Sequence, residues 1–306
     1  MRWFFRKRPE EVKSERLHEY VTLRRKQYGV RAMCRVLRVS ESGYYRSLRM
    51  SDSPRPWQLL LVQIRKIYEE NPDNRNYGVR RILLGLEQRG MEVSRSSVRR
   101  AMKKGGLLKS PGRRPQSLTK ADTAMQKAES VIRRNFTAAA PNQKWLTDIT
   151  QVTCAEGKLY IAAVLDCYNG EIVGLAMDDN MKKELCIRAF EGACRARGAY
   201  GMIFHSDRGG QFTSLGFRNV LAQHGAIQSM SGTGRCYDNS RMESFFATLK
   251  KEKLYQIQTG KMPMAQVKSI VFRYIMAYYN RQRIYTGNLG GLAPAMYRQA
   301  ARGLAA

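Results

Sequence analysis

The run from Lys144 to Ser231 constrains the fold of this chain more than any other stretch. Three strand-like segments, near 144–154, 158–167 and 171–179, follow one another directly. An alternation then begins: a helix near 181–198, a strand near 202–207, a helix near 214–224, a short strand near 226–230 and a helix near 239–255. Consecutive strands can pair antiparallel through tight turns, whereas strands separated by helices pair parallel, so the periodicity predicts a mixed α/β sheet flanked by helices.

Three carboxylates stand at the ends or edges of these elements. Asp148 lies within Lys144-Trp-Leu-Thr-Asp-Ile-Thr150, Asp207 follows Met202-Ile203-Phe204 within His205-Ser-Asp-Arg-Gly-Gly-Gln211, and Glu243 lies early in the helical pattern that starts near Asn239. Hard divalent cations such as magnesium prefer oxygen ligands, and two such ions can serve phosphodiester chemistry, so the three acids are read as catalytic and metal-binding. Magnesium is the expected metal, with manganese as an alternative and two ions per site.

The 54 Lys and Arg against 25 Asp and Glu leave a net charge of +29, which calls for a polyanionic partner. Residues 1–120 hold 30 basic and 11 acidic residues, so the amino-terminal part is the stronger candidate for binding double-stranded DNA. There, Tyr28 to Ser40 followed by Glu41 to Leu48 gives a helix-turn-helix silhouette. A second one follows in Leu59–Glu70, Gly78–Arg89 and Arg95–Lys104, with Ser94 as a cap. The last of these helices brings Arg95, Ser96, Arg99, Arg100 and Lys103 near one another, side chains suited to phosphates and base edges. Arg208, Gln211, Arg235, Lys250 and Lys251 are further DNA-contact candidates around the acids. Ser231 to Tyr237 reads as a Gly-rich basic loop over the site, and Asn239 as the N-cap of the helix that aims Glu243.

The resulting division is a basic helical segment at 1–56, a second helix-turn-helix-like DNA-binding domain at 57–107, a basic linker at 108–140, a catalytic core at 141–260 and a helical extension at 261–306. In the extension, Met264 to Arg283 carries a core-facing apolar stripe. Six cysteines without a C-x-x-C pair and only three histidines argue against zinc. The expectation is a cytoplasmic, nucleoid-associated protein with reduced thiols, because the chain shows neither a signal-peptide pattern nor an apolar run long enough to span a membrane.

With 35 residues between Asp207 and Glu243, the segments Trp145–Thr150, Leu159–Asp166, His205–Ser214, Ser229–Lys250 and Tyr278–Arg283 together resemble the OrfB-type DDE transposases of the insertion-sequence-three family, which have a retroviral-integrase-like core. The resemblance implies a ribonuclease-H-like catalytic domain, Asp148, Asp207 and Glu243 as its acidic triad, and cleavage and strand transfer at the ends of a mobile element through a circular intermediate. It also implies terminal inverted repeats and target DNA as partners, a homo-oligomer on DNA and a connection to the product of an upstream overlapping reading frame. A ribonuclease-H-fold nuclease without joining activity and a non-catalytic DNA-binding regulator are the alternatives. Two positions depart from the family pattern: Tyr285 stands where a histidine is usual, and Asn169-Gly170, itself a two-residue hairpin signal, stands where Ser-Arg is common.

Overall fold

The computed structural model describes residues 14–51, 54–108, 135–198, 200–231 and 239–303. The described residues divide into two compact units, one within Met1–Arg65 and Ser96–Leu107, the other within Lys66–Arg95 and Leu108–Ala306.

In the first unit, α1 (Ser14–Arg24), α2 (Val30–Val36) and α3 (Glu41–Ser51) share a small core of Val21, Met33, Cys34 and Tyr44. The Ser40 hydroxyl accepts from the Gly43 amide at 3.0 Å and so caps α3. α4 (Pro56–Glu70) runs from the first unit into the second, where α5 (Val79–Glu87) follows. α6 (Arg95–Lys104) turns Val98, Ala101 and Met102 inward.

The second unit is built on five strands: β1 (Lys144–Cys154), β2 (Gly157–Asp166), β3 (Ile172–Asp178), β4 (Ile203–Ser206) and β5 (Ile227–Met230), in the order β3-β2-β1-β4-β5. The first three pair antiparallel, with Asp148 opposite Ala163, and β4 and β5 add parallel on the other side of β1. This is the ribonuclease-H-like order. α7 (Lys183–Arg197) packs so closely on β3 that a Cβ on Gly174 would lie 2.2 Å from the Ala189 carbonyl oxygen. α8 (Gly210–Thr213) and α9 (Leu215–Gln223) lie between β4 and β5. Trp145, Phe190, Phe204, Phe212 and Phe217 fill the core around α7, with Phe190 and Phe204 edge to face at 4.9 Å. α10 (Ser240–Glu252) follows, then α11 (Met264–Phe272) and α12 (Pro294–Gly303).

Two local expectations are corrected. Met264 to Arg283 is not one α-helix: after α11 the backbone continues as a π-helix over Arg273–Tyr279. The widened turns put Tyr274, Ile275, Tyr278 and Tyr279 all inside, and they bring Asn280 to the sheet edge. There the Asn280 amide accepts from Ile172 N at 3.0 Å and donates to Ile172 O at 2.9 Å, so it pairs with β3 as a neighbouring strand would.

Asn169-Gly170 is not a two-residue hairpin either. β2 ends at Asp166 and β3 starts at Ile172, leaving a five-residue turn in which Gly170 has φ +75. The turn is longer because Asn169 is fully buried and donates inward to Pro294 O at 2.7 Å. The two family departures also meet here: a Cβ on Gly170 would lie 2.7 Å from the Tyr285 ring.

Candidate active site

Each acid is delivered by a different element. Asp148 is half-buried near the middle of β1, Asp207 is exposed one residue past the end of β4, and Glu243 is exposed in the first turn of α10. Asp148 Oδ1 accepts from the Ile149 amide at 2.7 Å and Asp207 Oδ1 from the Gly209 amide at 3.0 Å. Their second oxygens accept no hydrogen bond from a described residue.

Burial pushes the Asp148 carboxyl up to about 6, and the charges of Asp207 and Glu243 push it the same way, against the Ile149 amide and Lys250. Burial also raises Glu243. The three acids therefore share one electrostatic field. As the side chains stand, no three His, Cys, Asp or Glu groups among the described residues are gathered tightly enough to hold an ion. What the fold supplies is two hard oxygen donors, Asp148 and Glu243, on the wall of one cavity, with Asp207 near enough for its charge to act on Asp148.

A cavity of about 310 Å³ contains Asp148, Glu243, Lys250, Lys251, Phe246 and Tyr255 among its lining. Lys250 and Lys251, seven and eight residues after Glu243 and so about two turns along α10, share a wall with two of the acids. Beneath the site, burial and then the charges of Asp207 and Asp148 push the Cys186 thiol up to about 12.

The other candidates are distributed as follows. Gln211 Nε2 donates to Met181 O at 3.0 Å, and Arg208 Nε donates to Ser231 O at 2.9 Å, so both side chains are engaged in holding loops around Asp207. Arg235 lies outside the described residues, as does most of the predicted loop over the site. Arg95, Ser96, Arg99, Arg100 and Lys103 are all exposed on α6, opposite its buried Val98, Ala101 and Met102.

Asn239 occupies the N-cap position of α10, but its side chain makes no cap hydrogen bond. It is 5% exposed and donates to Thr147 O at 2.8 Å, while its own Oδ1 is buried without a partner. The amide therefore moors the helix of Glu243 to the strand of Asp148, one residue before that acid.

Sequence reasoning missed Glu252, at the far end of α10. Its Oε1 accepts from Arg81 Nη1 and Arg283 Nη2, both at 2.8 Å, and its Oε2 from Arg283 Nε at 2.8 Å and Tyr274 at 2.9 Å. No pattern distinguishes a buried acid at a helix end from a solvated one. Only the arrival of Arg81 and Arg283 from distant segments reveals it.

Family models described as "Integrase core domain" match residues 138–236 and 243–301, and one described as "HTH-like domain" matches 56–116. The Insertion element IS600 31 kDa protein of Shigella sonnei is 36% identical over 270 residues, covering 87% of this chain and 97% of its own. The transposase InsF for insertion sequence IS3A of Escherichia coli (strain K12) is 31% identical over 288 residues, covering 91% and 98%. The chain belongs to the insertion-sequence-three family of transposases.

The transposase is thus a DDE-type polynucleotidyl transferase with an integrase core and a helix-turn-helix-like domain, and DNA is its partner. The HTLV-2 integrase catalytic core domain in complex with magnesium is 16% identical with a TM-score of 0.40, covering 53% of this chain and 99% of that one. The simian T-cell lymphotropic virus intasome chain gives 15% and 0.43, covering 66% and 70%. Among the described residues, no helix of the transposase is long and apolar enough to cross a membrane.

Proposed function

We propose that Asp148, Asp207 and Glu243 are the catalytic carboxylates with which this transposase cleaves element ends and joins them to target DNA. The observation that supports this most is the shared field at Asp148, raised by the charges of Asp207 and Glu243 from two other elements. The charges of Asp207 and Glu243 both oppose that of Asp148, and a cation is what relieves such repulsion.

The donor set fits a hard divalent metal. It offers carboxylate oxygens, two of which already accept a backbone amide through one oxygen and keep the other for a ligand. The thiol of Cys186 is held protonated by its burial and by the same acids. Asp148, Asp207 and Glu243 would hold magnesium, two ions at full occupancy, with manganese as a substitute. Such ions supply charge neutralisation at the phosphoryl oxygens and a lowered pKa for a coordinated water.

The chain's own contribution is orientation. Asn239 fixes α10 against β1 and so sets where Glu243 stands relative to Asp148. Lys250 and Lys251 face the cavity and would take the phosphates flanking the scissile bond. Hydrolysis at an end frees a 3′-hydroxyl, and in-line attack of that hydroxyl on a second phosphodiester forms the new P–O bond as the bond to that phosphodiester's 3′-oxygen breaks, the oxygen leaving as a 3′-hydroxyl with the attacking group's proton. The exposed α6 side chains would carry end binding, phosphates and base edges alike. Two ends and a target must be handled together, so the working form is a multimer on terminal inverted repeats and target, with the upstream reading-frame product as a further partner. The high positive charge of free protein opposes assembly that DNA phosphates would permit.

The test is magnesium-dependent nicking and joining on an end duplex and supercoiled target by Asp148→Asn, Asp207→Asn and Glu243→Gln. Each should lose both activities and keep end binding. Wild-type rates in any variant would remove that residue from the site, and nicking without joined product in the unaltered protein would favour a nuclease.

A further inference from the structure

α10 has a second flank. Glu243, Phe246, Ala247, Lys250 and Lys251 line the cavity of the acids, while Arg241, Ser244 and Thr248 face a separate cavity of about 280 Å³ closed by Arg81, Arg283 and Thr286. Its charge is unbalanced. Arg81 and Arg283 share the single carboxylate of Glu252, whereas Arg241 meets no carboxylate among the described residues. The Arg241 Nη1 donates to the carbonyls of Phe136 and Cys167, the latter at 2.7 Å, and Nη2 reaches Tyr285 Oη at 3.4 Å. Carbonyls and a phenol satisfy guanidinium protons but cancel no charge, so three guanidiniums against one carboxylate leave an excess of two positive charges in a confined, partly desolvated space.

The rest of the lining suits an anion that presents several oxygens. Ser244 and Thr286 are exposed at the rim, so the space is reachable from solvent and two hydroxyls face it, while the Thr248 hydroxyl donates to the Ser244 carbonyl at 2.9 Å. A tetrahedral phosphate matches guanidinium and hydroxyl donors in both charge and geometry. We propose that this cavity binds one phosphodiester of the DNA backbone, on the flank of α10 opposite the acids. A helix is roughly 10–12 Å across with its side chains, so a strand crossing α10 would place this phosphate a few nucleotides from the scissile one. Placing the scissile bond rests on the proposed catalytic role of Glu243; the binding of the phosphate does not.

The experiment therefore measures binding alone, on full-length protein carrying Glu243→Gln, with an end duplex and no divalent ion. Single methylphosphonates, which remove one backbone charge each, are scanned along both strands. Thr248→Glu is then introduced to set a carboxylate at the cavity while keeping a good helix former. Ser244→Asp is the second variant, should the first unfold. The scan should show a phosphate whose neutralisation weakens binding in the parent and has no effect in Thr248→Glu. The slope of log affinity against log salt should fall by about 0.9 in that variant, one phosphate contact.

An unchanged slope in a folded variant, or a methylphosphonate pattern identical in parent and variant, overturns the proposal and leaves Arg241 as a brace for α10. Protection of the protein by inorganic phosphate with no change in DNA binding would likewise overturn the assignment to DNA. Failure of the catalytic reading would appear instead in the nicking assay and would leave these binding results standing.

Discussion

Replacing Glu252 by glutamine keeps the side-chain volume and removes one charge from the four-bond cluster at the end of α10. In the intact protein Glu252 accepts two bonds from Arg283, one from Arg81 and one from Tyr274, all between 2.8 and 2.9 Å. Arg283 is 4% exposed, so little of its guanidinium can be solvated in place of the lost carboxylate. An amide offers one accepting oxygen in place of two and presents its NH2 group to a guanidinium, which has nothing to accept with.

Breaking a buried pair by removing one partner costs about 3–5 kcal/mol, a large share of a typical total of roughly 5–15 kcal/mol. For a unit of this size the midpoint should fall by about 10 °C, at roughly 2–4 °C per kcal/mol. Calorimetry and urea unfolding of the full chain measure this. The Arg283 bonds hold the Glu252 carboxyl below the usual glutamate range despite its burial. The contribution is therefore complete above the unfolded value of about 4.3 and is lost as pH falls through the lower folded value. Glu252→Gln should remove that acid-side loss. Replacing Glu252 and Arg283 together by methionine should cost less than Glu252→Gln alone, because the buried guanidinium leaves with its carboxylate and only the more exposed Arg81 loses a partner. A loss below about 1 kcal/mol for Glu252→Gln would refute the reasoning and reduce the cluster to the worth of a surface pair.

Asp148→Asn should abolish nicking yet stabilise metal-free protein at pH 7 by on the order of 2 kcal/mol, since a raised carboxylate pKa means that its charge is held unfavourably; an unchanged or lowered midpoint would contradict this. By the same sign, the stabilising effect of the substitution should shrink as pH falls through about 6, where Asp148 itself becomes neutral. Asn239→Ala should lower joining more than it lowers the melting midpoint, because it strands the Thr147 carbonyl but also removes the orphaned Oδ1; equal joining rates would separate Asn239 from the site. Neutralising Arg95, Arg99 and Arg100 together should reduce the salt slope of end binding by about 2.7, and an unchanged slope would turn α6 away from DNA. Gly174→Ala should destabilise the second unit by roughly 3 kcal/mol or more in chemical denaturation, since its Cβ meets the Ala189 backbone carbonyl rather than a movable side chain; a loss under about 1 kcal/mol would mean that α7 can shift.

The elements of the core were legible because their signals are local. Apolar periodicity located β1 to β5, α7, α9 and α10 to within a few residues, since strand and helix bury different spacings of side chains. Motif context picked out Asp148, Asp207 and Glu243, and their charges act on one another across three elements. The exposed face of α6 followed from its helical spacing alone.

What only the tertiary structure decided has in common a partner far away in the chain. The π-helix at Arg273–Tyr279 exists because four side chains there must be buried at once, a demand set by what packs against them and not by their own propensities. Asn169 looked like half of a hairpin turn until the Pro294 carbonyl drew its amide inward. Asn239 looked like a cap, and its amide instead reaches Thr147, 92 residues earlier. Glu252 carried no signal at all, because a carboxylate's burial is decided by whether guanidiniums come to meet it, and Arg81 and Arg283 approach from 171 residues before and 31 residues after. Local sequence determines which backbone hydrogen bonds are cheap to form; the placement of polar side chains in a desolvated interior depends on partners that only the completed fold brings within reach.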